Sequence, residues 1–84
     1  MAKRSNVLIY KDILGALLSG PAGPTKLARV CNVPYDRLSG YAATLETSGL
    51  LAREVKEGHE TFHLTPAGYE LHADMEKVWA RLRI

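Results

Sequence analysis

The sequence predicts a mainly α domain with a two-stranded β-hairpin, in the order α-α-α-β-β-α with a long C-terminal helix. Three observations predict it. Apolar residues recur at three- and four-residue spacing in four separate stretches. Two short runs that suit strands flank Gly58. Gly, Pro or Thr punctuates the boundaries between them. At 84 residues the chain holds one small domain with a single thin core. Its 46% hydrophobic and 24% charged content are ordinary for a folded soluble protein and exclude a disordered one.

From Asn6 to Leu18, the residues Val7, Tyr10, Ile13, Leu14 and Leu17 mark an amphipathic first helix. Asn6 or Ser5 can cap it. "SGPAGP" at 19–24 ends it, and Thr25 is expected to cap a second helix from about Lys26 to Cys31, with Leu27, Val30 and Cys31 inward. Pro34 suits the first turn of a third helix, Tyr35 to Ser48, because its missing N–H has no partner there anyway. Leu38, Tyr41, Ala42 and Leu45 form that helix's apolar side. Asp36, Gly40, Ala43 and Thr47 face the opposite way, and Arg37, Ser39 and Thr44 lie on the flanks. Gly49 can adopt the left-handed conformation that closes a helix and turns the chain straight into a strand. "LLAREV" and "ETFHL" then flank "KEGH", with Gly58 as the hairpin glycine. Glu60, Phe62 and Leu64 share one face of the second strand. Thr65-Pro66 opens the last helix, Pro66 to Leu82. The core expected from these faces is Leu14, Leu17, Leu27, Leu38, Leu45 and Leu64.

Net charge is only +2, but it is unevenly spread. Residues 1–45 balance to +4, residues 46–64 to −2, and the last twenty to zero. A moderately basic N-terminal half is compatible with a phosphate partner. Cys31 is the single cysteine, so no internal disulfide forms, and a reducing cytoplasm fits that count. Basic residues precede an apolar run at the start, as in a signal peptide, but Lys11 and Asp12 interrupt the run, and no membrane span is expected.

A helix pair with a short turn, followed by a two-stranded ribbon, describes a helix-turn-helix with a wing. Here "PTKLARVCNVPYDRLSGYAATLETSGLLAREV" and "TFHLTPAGYEL" resemble the small winged-helix transcription regulators common in archaea. The most specific parts are the "SGLL" step from helix to strand and "LTPAGYEL" at the start of the last helix. The likeness spans nearly the whole chain and implies a winged helix-turn-helix domain over 1–65 and a C-terminal dimerisation helix over 66–84. It also implies a double-stranded DNA partner and a homodimer.

On that reading the third helix enters the major groove, and Tyr35, Arg37, Ser39, Gly40 and Thr44 are the positions that reach or closely approach DNA. Arg37 can make a bidentate contact to guanine. Lys3, Arg4, Lys26 and Arg29 are the phosphate candidates, with Thr25 at the start of the second helix. Arg53, Lys56 and His59 are the wing candidates, set against Glu54, Glu57 and Glu60. In the last helix Leu71, Met75, Val78 and Leu82 are spaced 4, 3 and 4, the pattern of a coiled-coil seam, and Trp79 widens it. His59, His63 and His72 bring no cysteine or carboxylate at a ligand spacing, so no metal is expected. Nothing resembles a catalytic triad, paired catalytic carboxylates or a phosphate loop, so neither an enzyme nor a cofactor is expected. Two rivals use the same fold: a module that binds protein through the third helix, and a sequence-tolerant protein that coats DNA.

Overall fold

The computed structural model describes residues 4–82. In chain order these form α1 (Asn6–Ala16), a 3-10 turn (Leu17–Ser19), α2 (Pro24–Cys31), α3 (Tyr35–Thr47), β1 (Leu51–Lys56), β2 (His59–Leu64) and α4 (Pro66–Leu82). The order is the expected one. Ser5 is the cap of α1, its Oγ accepting the Leu8 N–H at 3.3 Å. That helix stops at Ala16, short of Leu18, because the chain tightens into the 3-10 turn with Leu17 buried and Leu18 outside.

The second helix starts two residues earlier than expected, at Pro24. Proline suits a first helical position, where an N–H would have no partner. Gly23 is therefore the cap residue, and Thr25 lies inside the first turn rather than capping it. The inward line is Leu27, Ala28 and Cys31. Val30, expected inward, is 57% exposed, since it lies a third of a turn beyond that line. Asn32 closes α2 in the left-handed region at φ 56°, which asparagine tolerates better than most residues. Val33 then drops into the core, its N–H donating to the Ala28 carbonyl at 2.9 Å. Pro34 caps α3 instead of lying within its first turn.

The core gathers Ile13 and Leu14 from α1, Leu17 from the 3-10 turn, Leu27 from α2, Leu38, Ala42 and Leu45 from α3, and Leu51, Phe62 and Leu64 from the hairpin. All six expected core leucines are buried. Full burial of side chains this size contributes about 1.5–3 kcal/mol each. Tyr10 and Tyr41 add an edge-to-face contact between α1 and α3, with ring centroids 5.8 Å apart.

At the end of α3 the Gly49 N–H donates to the Glu46 carbonyl at 3.0 Å and the Leu50 N–H to the Leu45 carbonyl at 2.9 Å. With Gly49 at φ 78°, this is a Schellman closure, and β1 begins two residues later. The hairpin pairs Leu51 with Leu64 through to Lys56 with His59. Both turn residues, Glu57 at φ 53° and Gly58 at φ 79°, are left-handed, as a two-residue type I′ turn demands. A second, short pairing was not legible in the sequence. Ala22 exchanges two backbone hydrogen bonds with Phe62, at 3.0 and 2.8 Å, and ties the segment before α2 to β2.

Thr65 caps α4 as expected, its Oγ1 accepting the Gly68 N–H at 3.1 Å. The same hydroxyl donates to the Gly49 carbonyl at 2.6 Å, so one side chain links the end of α3 to the start of α4. Gly68 lies so close to the Leu50 carbonyl that any Cβ would overlap it. From there α4 runs back along α1. His72, 7% exposed, sits against Gly15. Lys11 reaches Glu76 at 3.2 Å, and its Nζ lies 5.7 Å from the centre of the Trp79 ring.

Candidate nucleic-acid interface

Helix α3 is buried along Leu38, Ala42 and Leu45 and open along Asp36, Gly40, Ala43 and Thr47. No atom outside the helix lies within 4 Å of where a Cβ on Gly40 would stand. The outer face is therefore small and unobstructed, with Asp36 as its charged group. At 100° per residue, Arg37 and Thr44 fall on one flank beside Tyr41 and α1. Ser39 and Glu46 fall on the other, beside the hairpin, and Tyr35 starts the helix on that side. Two expected reaching groups are turned inward on their own helix. The Ser39 hydroxyl donates to the Asp36 carbonyl at 3.4 Å, and the Thr44 hydroxyl to the Gly40 carbonyl at 3.1 Å.

The wing cations divide into two kinds. Arg53 lies between Glu46 of α3 at 3.7 Å and Glu60 of β2 at 3.3 Å. All three side chains are at least a third exposed, so the pairs contribute little stability. They do occupy the guanidinium and orient the wing against α3. Lys56 and His59 are exposed at the wing end, beside exposed Glu54 and Glu57. Gly58, His59 and Glu60 border a cleft of about 530 Å³ whose other walls are Gly23, Pro24, Thr25, Lys26 and Tyr35. Three elements thus converge there: the start of α2, the start of α3 and the wing.

Among the phosphate candidates, Lys26 and Arg29 are exposed on α2. Lys3 lies outside the described residues. Arg4 is already engaged, its Nη1 at 2.7 Å from Asp12 and its Nη2 donating to the Asn32 carbonyl at 2.8 Å. That arrangement brings Arg4 to a concavity of about 340 Å³ shared with Asn6, Ile9, Asn32, Val33, Pro34, Arg37 and Tyr41. Cys31 is buried behind it. Loss of solvation pushes its thiol pKa above the ordinary range, nearby Asp12 adds to the rise, and Arg4 opposes it.

The expected seam of α4 splits in two. Leu71 and Met75 pack against the domain's own core. Beyond them Val78 is 49% and Leu82 62% exposed, while Trp79 is partly covered by Lys11. No helix among the described residues is long and apolar enough to cross a membrane.

Residues 3–82 match the family model described as winged helix-turn-helix. The chain belongs to the winged helix-turn-helix family. Among solved structures it is similar to Sso10a-2, a DNA-binding protein from Sulfolobus solfataricus, with a TM-score of 0.83 and 21% identity over 95% of this chain and 82% of that one. It is also similar to the transcriptional regulator BldR from Sulfolobus solfataricus, with a TM-score of 0.82 and 22% identity over 89% of this chain and 56% of that one. A third likeness is to a variant of MepR from Staphylococcus aureus bound to an oligodeoxyribonucleotide, with a TM-score of 0.79 and 17% identity. It covers 89% of this chain and 59% of that one. The chain therefore spans little more than half the length of the last two. No curated protein matches the sequence significantly. These TM-scores show a shared winged-helix fold.

Several features of this winged-helix surface were missed by the sequence reading. The Arg4–Asp12 pair, the concavity it shares with Arg37, and the clamp of Arg53 between two glutamates all join residues of different elements or of the segment ahead of α1. Periodicity carries no signal for them.

Proposed function

We propose that the chain is a cytoplasmic double-stranded DNA-binding protein, a transcription regulator that acts as a homodimer. Helix α3 lies along the major groove, α2 and the wing meet the flanking backbone, and the outer half of α4 joins two copies. The observation that carries this reading is the bare outer face of α3. Asp36, Gly40, Ala43 and Thr47 are exposed and small or short, so the helix backbone can approach a groove about 12 Å wide. Lys26 and Arg29 on α2 and Lys56 and His59 on the wing are exposed beside that face, and Lys26 and His59 share one cleft. DNA binding in the neighbouring structures supports the same assignment.

The dimer proposal rests on Val78 and Leu82, which stand a turn apart on one side of α4 with about half or more of their surface open. In a two-fold dimer the α3 helices would enter successive major grooves, about 34 Å apart. A protein-facing module is the second reading. It is favoured by Arg53 being held by two glutamates while Glu54 and Glu57 remain exposed. Fluorescence anisotropy with a labelled duplex separates the two. Saturable binding that weakens with salt supports the DNA reading, and no binding even at low salt supports the protein-facing one.

A further inference from the structure

The sequence casts Arg37 as a reader of guanine. The geometry points to a different task, and we infer that Arg37 and Arg4 together hold one backbone phosphate of bound DNA. This inference rests on the DNA-binding reading above and assigns the role of the single cation on α3.

Arg37 is the third residue of α3, on the flank that faces α1 and away from the centre of the outer face. Long helical side chains lean back toward the helix N-terminus. Here that direction leads to the concavity lined by Arg4, Asn6, Asn32 and Pro34. Arg4 is fixed at its wall. Its ion pair with Asp12 and its hydrogen bond to the Asn32 carbonyl use two of the five guanidinium donors and leave the rest free. Arg37 has no ion-pair partner among the described residues. Asp12 offsets one of the two charges, so the concavity carries about one net positive charge with two carboxamides beside it. That is the chemistry of a single phosphate, and guanidinium is the group best matched to it. Tyr41 and the buried Ile9 and Val33 form the apolar back of the concavity, which places the anion at its mouth.

A base contact and a phosphate contact leave different signatures. Losing a base contact weakens binding to the preferred site alone. Losing a phosphate contact weakens all duplexes alike and lowers the salt slope. The slope is about 0.9 per neutralised phosphate, so one fewer phosphate reduces the loss of affinity between 50 and 200 mM salt by about 3.5-fold.

The experiment is fluorescence anisotropy of the wild type, R37A, R37K, R4A and the double variant R4A/R37A. Each is titrated with one selected and one random duplex at both salt concentrations, with circular dichroism to confirm folding. R37A should weaken both duplexes by the same factor and shrink the salt ratio by about 3.5-fold per subunit. R37K should retain most of the salt slope. The double variant should lose less than the product of the single losses, because both side chains serve one phosphate. R37K and R37A lie on an exposed position, so their result stands even if R4A disturbs the start of α1. A loss confined to the selected duplex, no loss at all, or strictly multiplicative losses would each overturn the shared seat while leaving DNA binding in place. Absence of DNA binding by the wild type would overturn the functional reading itself.

Discussion

Replacing both Val78 and Leu82 by glutamate should convert a dimer into a folded monomer. Val78 retains 49% of its surface in the isolated chain and Leu82 62%. Covering the remainder would contribute about 1–2 kcal/mol per side chain. Two side chains on each of two subunits give about 4–8 kcal/mol of association free energy. At 1.4 kcal/mol per tenfold, losing even the lower figure weakens the dimer by roughly a thousandfold. Four carboxylates brought into one seam add a further penalty. Met75 is the less suitable position, although the sequence pattern puts it in the same seam, because it packs against the domain's own core. Val78 and Leu82 stand clear of that core, so the fold of each subunit should be preserved to within about 0.5 kcal/mol. Sedimentation velocity at high micromolar concentration is the assay, with thermal melting as the control. A wild type that already sediments as a monomer, or a double variant that dimerises as tightly as the wild type, would rule out an α4 seam at Val78 and Leu82.

Gly68→Ala should destabilise the domain by about 3 kcal/mol, because its Cβ would enter the Leu50 carbonyl and push α4 off the junction; chemical denaturation reads this, and an unchanged midpoint would contradict the packing. Glu57→Asn should stabilise it by up to about 1 kcal/mol, since asparagine accepts the left-handed position of a type I′ turn more readily; a lower melting temperature would count against that turn. Cys31 makes stability fall in alkali. Its folded thiol holds the proton more tightly than the unfolded one, so stability is full below the unfolded pKa and is lost as pH rises past it. Cys31→Ala should therefore show a shallower decline in melting temperature between about pH 7 and 10, and an identical decline in both proteins would remove Cys31 as a cause.

The parts of the fold written in local chemistry were legible from sequence. Gly49 after Ser48, Gly58 in the hairpin and Thr65-Pro66 before α4 each act within a few residues, and each took its expected role. Boundaries shifted where a neighbouring residue had an equal claim, as when Pro24 rather than Lys26 opened α2 and made Gly23 its cap. The Ala22–Phe62 pairing was hidden because two hydrogen bonds in a Gly/Pro-rich stretch leave no alternating pattern. The burial of His72 has no signal in the sequence, because it depends on Gly15 of another helix leaving room for the ring. The candidate site was legible as a helix face but not as an electrostatic surface. Whether a cation is engaged depends on partners such as Asp12 for Arg4, or Glu46 and Glu60 for Arg53, which only the tertiary fold brings near.

The central claim is that the outer face of α3 lies against DNA. An NMR titration of the isotope-labelled protein with a short duplex at low salt tests it residue by residue. Amide shifts should concentrate at Asp36, Gly40, Ala43 and Thr47, with weaker ones at Lys26, Lys56 and His59. Shifts confined to α4, or none on α3 at saturating duplex, would contradict it.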